Sequence, residues 1–228
     1  MEFITGILSG FKLLIAMDKE IIEIVLLSLF VSLSATVISA IIATPLGILI
    51  GIKSFKLKGI VVRVIYTMMS LPPVIVGLVV YMLLSRKGPL GGFSLLFTPP
   101  AMIIAQVCLI TPIITGLVYN GTKEKGAEIK RVAKALGANP TQTLFLLIKE
   151  LRINIFTAII SGYGRAISEV GAVMIVGGNI KGQTRVMTTA ITMLRSMGDY
   201  QTGIAMGIVL LTISFIITSI LYHYQQGE

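Results

Sequence analysis

The sequence predicts an all-α integral membrane protein with about five transmembrane helices. Two observations carry this. Of 228 residues, 55% are hydrophobic and only 13% are charged, with a mean hydropathy of +0.94. Soluble domains of this length are far more polar. The apolar residues also fall into long runs parted by turn-rich loops and by one extended polar stretch, residues 122–152. The net charge of +9 would suggest nucleic acid in a soluble protein. Here most of the excess lies beside the apolar runs, where it sets orientation and meets anionic lipid, so no nucleic-acid partner is expected. Cys108 and His223 are the sole residues of their kinds, which excludes an internal disulfide and a cysteine-built metal site.

Taken in order, residues 1–20 are mildly apolar with scattered charges, and Phe3–Met17 reads as an interfacial helix rather than a signal peptide or a span. The first span covers Ile21–Ile52, with Pro45 and Gly47 allowing a bend near its inner end. Lys53, Lys56, Lys58 and Arg63 mark the next loop as cytoplasmic. The second span, Ile60–Ser85, is interrupted by Ser70-Leu71-Pro72-Pro73 and Gly77. Two consecutive prolines remove two backbone donors, so the helix breaks at mid-membrane depth, either as a packing kink or as the lining of a path. A Gly-Pro-rich outer loop follows, then a third span, Pro100–Tyr119. The fourth span is Ile153–Val176 and the fifth Gly203–Tyr222, with a short re-entrant or interfacial helix expected near Val186–Ile191. Five spans place the termini on opposite sides. The Lys and Arg bias favours an outer N-terminus and a cytoplasmic C-terminus in a multi-pass plasma-membrane protein. The whole chain, 1–228, reads as one transmembrane domain.

Residues 122–152 are too ordered for a simple connector. Ile129, Val132, Ala133 and Leu136 recur at helical spacing, with charged residues on the other face. Gly137 ends that helix, and Asn139-Pro140 starts another as N-cap and first helical residue. The pattern fits an amphipathic helix on lipid headgroups or a helix docking on a soluble partner.

The other informative stretch runs from Gly162 to Ala172. Arg165 and Glu169 stand four apart, so on a helix they can pair. A charge at mid-span costs about 2.5–3.5 kcal/mol on insertion scales, so such residues persist when they pair, face protein or line a path. Two readings follow: a structural ion pair, or an Arg165 that creates a positive zone for an anion while Glu169 orients it. Gly162, Gly164 and Gly171 permit close helix packing.

With these residues in hand, a family resemblance emerges. Arg131-Val132-Ala133-Lys134-Ala135-Leu136-Gly137 resembles the E-A-A-x-x-x-G loop of ABC importer permeases, with Arg131 at the usual Glu and Val132 at the first alanine. Gly164-Arg165-Ala166-Ile167-Ser168-Glu169-Val170-Gly171-Ala172, followed by Gly178-Asn179-Ile180, is similar to the signature of sulfate, molybdate and tungstate permeases. Ser70-Leu71-Pro72-Pro73-Val74-Ile75-Val76-Gly77 resembles the break of the same group, and Thr184–Ile191 looks most like its tungstate branch.

The resemblance implies a type I, molybdate-permease-like arrangement with a cytoplasmic coupling helix. It implies a homodimer, two ATP-binding cassette subunits that bind ATP and Mg, and an extracytoplasmic oxyanion-binding protein. It implies that Glu128, Arg131, Val132, Ala133, Leu136 and Gly137 dock on the ATPase, and that Arg165, Ser168, Glu169, Pro72 and Pro73 line the substrate path. No catalytic residue is expected, and the chain has no G-x-x-x-x-G-K-S/T loop. Competing readings are a molybdate or sulfate permease, an ATPase-independent anion channel or carrier, and a membrane scaffold.

Overall fold

The computed structural model describes residues 19–226, so the helix expected at Phe3–Met17 lies outside the described residues. Nine α-helices and one short 3-10 turn make up the described chain. Helix α1 is Lys19–Ile52, α2 Lys58–Met69, α3 Pro73–Leu84, α4 Pro99–Ala135, α5 Pro140–Glu150, α6 Arg152–Ile167, α7 Gly171–Gly177, α8 Met187–Ser196 and α9 Tyr200–Gln226. Helices α1, α4 and α9 are each long and apolar enough to cross a bilayer. The pairs α2–α3 and α6–α7 are bent by 101° and 57° at short breaks, and counting each pair as one span gives five. The protein is thus a multi-pass membrane protein.

Helix α4 is the axis of the fold. It packs most extensively on α1, and also meets α2, α3, α5, α6 and α7. The α1 face turned inward is built of small and hydroxylated residues, including Ser28, Ser32, Ala35, Thr36, Ser39, Ala43 and Gly47. Small side chains let backbones approach closely where no hydrophobic drive separates helix from lipid. A Cβ on Gly47 would lie 2.8 Å from the Val118 side chain. The hydroxyls carry their own solution to burial: Ser28, Ser32 and Thr36 each donate to the carbonyl four residues back, and Thr111 of α4 donates to Ser39 at 3.1 Å.

Two expectations need correction. The helix of the third span does not end at Tyr119. Helix α4 runs on to Ala135, 37 residues with Pro112 inside, so the polar stretch begins as its continuation and not as a separate helix. Loss of hydropathy marks a change of solvent, whereas a helix stops only where the backbone is diverted. That diversion comes at Gly137, whose φ is +73°. The fourth span, expected as one helix, is broken at Ser168–Val170.

Other expectations match in position. The second span breaks at Ser70–Pro72, and Pro73 occupies the first turn of α3. Asn139 caps α5 in a reciprocal box: its Oδ1 accepts from Gln142 N at 2.8 Å, and Gln142 Oε1 accepts from Asn139 N at 2.8 Å. The short helix expected near Val186–Ile191, re-entrant or interfacial, is α8, and its first turn, Met187–Ala190, is buried within the protein. Ser28 Oγ of α1 accepts from Met187 N at 2.8 Å.

Candidate functional site

The two helix breaks are brought side by side. Helix α3 emerges from Pro72–Pro73, and α7 emerges from Ser168–Val170; the two pack closely against each other. Glycines make the contact tight. A Cβ on Gly77 would sit 2.6 Å from Ala172 Cα, and one on Gly171 would sit 2.9 Å from Val74 Cγ2. The helix starts at both breaks therefore share one region of the protein.

Within that region Arg165 lies in the last turn of α6 and Glu169 in the break itself. The expected pair forms: Arg165 Nη2 lies 3.4 Å from Glu169 Oε2, with the Arg side chain 39% exposed and the Glu side chain 3%. The carboxylate is held twice over, because Glu169 Oε1 accepts from Ala172 N at 3.1 Å. That bond satisfies one of the free N–H groups at the start of α7 and explains the break without a proline. The Glu169 carbonyl accepts from Thr188 Oγ1 of α8 at 2.8 Å. Ser168 is exposed, and its Oγ donates to Gly164 O at 2.8 Å and Arg165 O at 3.2 Å. Pro72 is exposed and Pro73 half-buried. The arrangement presents a guanidinium at the surface of the protomer, held by a buried carboxylate. An open cation backed in this way can attract an anion without leaving a charge unpaired in lipid.

Sequence reasoning missed two contributors here. Gln106 of α4 is 4% exposed, and its Nε2 donates to Ala166 O, next to Arg165, at 3.0 Å. Thr188 holds the break from the other side. An amide inside an apolar run was the available signal for Gln106, since a buried amide must find a partner.

At the far end of α4 the candidate docking residues divide. Val132 is 51% exposed and Leu136 78% exposed, while Ala133 is fully buried. Ile129 packs partly against the core cluster that contains Leu147. The expected single apolar face is therefore split: one edge packs inward and the other stays open. Glu128, Arg131 and Gly137 are exposed. Phe145 of α5, 68% exposed, was not singled out from the sequence. An exposed Phe is legible only once α5 is seen to turn that position away from the core. Among the described residues no group of His, Cys, Asp and Glu is arranged to hold a metal ion.

Comparison with known proteins agrees with this architecture. The model of the family described as binding-protein-dependent transport system inner membrane component matches residues 43–227. The tungstate uptake system permease protein TupB of Peptoclostridium acidaminophilum is 52% identical over 227 residues, covering 99% of this chain and all of that protein. A probable anion ABC transporter permease protein of Haloferax volcanii is 42% identical over 85% of each chain. The TupB protein of Campylobacter jejuni is 37% identical over 93% of this chain and 91% of its own length. With three helices able to cross a membrane, two bent pairs that bring the count to five if each is one span, and a family match over most of its length, the chain belongs to the inner membrane components of binding-protein-dependent ABC transport systems.

Proposed function

We propose that the chain is the permease subunit of an ATP-driven importer that carries tungstate across the plasma membrane by alternating access. The observation that supports this most is the 52% identity, over 227 residues, with a tungstate uptake permease. In this reading the chain is a single transmembrane domain, 1–228, and two copies form the path. Each supplies Arg165, Ser168, Glu169, Pro72 and Pro73. Two Arg165 side chains would offset a doubly charged oxyanion, while each Glu169 keeps its arginine oriented when the path is empty.

The chain performs no bond chemistry. Two ATP-binding cassette subunits hold ATP and Mg, and an extracytoplasmic binding protein delivers the oxyanion. The ATPases grip Glu128, Arg131, Val132, Leu136 and Gly137, with Ala133 supporting that surface from inside. The N-terminus lies outside and the C-terminus in the cytoplasm. ATP-driven closure then moves α4 and α5, and the bundle opens to one side at a time because the two states make different contacts. The test is reconstitution with the ATPase and the binding protein in liposomes. Tungstate uptake that requires ATP and the binding protein, and that molybdate and sulfate compete for only weakly, is the expected result. Uptake by this chain alone would favour the carrier reading.

A further inference from the structure

We infer that Gln106 is a positioning residue for transport, tying the Arg165–Glu169 break to the helix that carries the docking surface. The inference rests on the reading above and adds to it the point at which motion reaches the substrate path.

Three observations carry it. Helix α4 continues from Pro99 to Ala135 with Pro112 inside it, so Gln106 and the open edge at Val132 belong to one helix. From Gln106 to Ala135 is about 44 Å at the helical rise of ~1.5 Å per residue. Second, Gln106 Nε2 donates to Ala166 O, a carbonyl of the last turn of α6, at 3.0 Å. That carbonyl lacks a normal helical partner because α6 ends at Ile167, and its other donors are the N–H groups of Ser168 and of Glu169, the latter at 3.3 Å. Third, Gln106 borders a cavity of about 10 Å³ together with Ser28 of α1, which accepts from Met187 N at the start of α8, and with Glu169 and Thr188, whose bonds hold the break. The amide is thus the α4 member of a polar knot around the break.

Its contact differs in kind from the rest of the α4–α6 interface. Elsewhere in that interface lie packing contacts, as where Ile114 covers Gly162 and the Asn154 side chain covers Gly121. A hydrogen bond fixes distance and direction. When α4 shifts or turns, Ala166 is carried with it, and Arg165, the preceding residue, moves relative to Glu169. The Gln106 bond therefore converts movement of the docking end into a changed path.

The experiment uses the complete complex, with ATPase and binding protein, in liposomes, and reads tungstate moved per ATP hydrolysed. Gln106→Leu and Gln106→Met keep the bulk and remove the donor. Gln106→Glu, in its protonated form, carries an O–H that can donate to Ala166 O. The expected result is at least a tenfold fall in the ratio for Leu and Met, with assembly and ATP hydrolysis retained, and a ratio within threefold of wild type for Glu. A purely structural role would lower abundance and leave the ratio of the surviving complex unchanged. Wild-type ratios in Leu and Met overturn the inference while leaving the transport reading intact, and so does a Glu variant as uncoupled as Met. A wild-type complex that moves no tungstate overturns the transport reading instead.

Discussion

Gly77→Ala tests whether the two breaks work as one unit. The new Cβ would lie 2.6 Å from Ala172 Cα and 3.3 Å from Ala172 Cβ. Carbon atoms rest at about 3.5–4.0 Å, so α3 and α7 must separate by about 1 Å. Overpacking of this kind costs about 1–3 kcal/mol. Alanine returns up to about 1 kcal/mol through its better helix propensity. The net expected loss is about 1 kcal/mol, enough to lower the melting temperature but not to prevent insertion. Transport suffers more, because a displacement of about 1 Å at the breaks misplaces every group aimed at the substrate. Tungstate uptake by reconstituted complex is expected to fall by roughly an order of magnitude. Gly164→Ala is the control, since its Cβ would meet nothing within 4 Å. A Gly77→Ala protein with wild-type melting and wild-type uptake refutes the contact between α3 and α7, and with it the shared site.

Four further substitutions probe other parts. Arg165→Gln removes the cation and leaves Glu169 with its bond from Ala172 N; uptake should be lost with the protein folded and inserted, and unchanged uptake makes the ion pair a packing device only. Leu136→Ser acts on a side chain 78% exposed, so stability should move by no more than about 0.5 kcal/mol while co-purification with the ATPase drops; Ala133→Leu, at a fully buried position, should instead destabilise the chain itself. Asn139→Ala breaks the reciprocal cap of α5 and should cost about 1 kcal/mol, seen as faster amide exchange over residues 141–143 and weaker ATPase binding.

Much of this was written in the sequence where a single residue forces the backbone. Pro72-Pro73 dictated the first break, Gly137 the left-handed stop, and Asn139-Pro140 the start of α5. The Arg165–Glu169 pairing followed from spacing alone and survives although the helix ends between the two residues. What escaped depends on distant partners. No proline marks the break at Ser168–Val170; it is stabilised by the Glu169 carboxylate on Ala172 N and by Thr188 from another helix. The continuity of α4 past Tyr119 was hidden because hydropathy falls there while nothing diverts the backbone; Gly121 and Gly126 on this stretch are packing sites, facing the Asn154 side chain and the Thr122 and Leu147 side chains. The division of the docking face into a buried Ala133 and an open Leu136 likewise depends on where α5 folds back.

The sharp bend between α2 and α3 has a consequence for solvent. Each of these helices has 12 residues, about 18 Å long, against roughly 30 Å of hydrocarbon. Neither arm alone can reach from one leaflet's headgroups to the other's, so the elbow at Ser70 ends partway through the bilayer. Unsatisfied backbone at that depth is tolerable only beside protein or water, and Ser70 is exposed in the protomer. An aqueous vestibule should therefore climb to the elbow, and a cysteine placed at Ser70 in a chain lacking Cys108 should react with a membrane-impermeant thiol reagent added from one side alone.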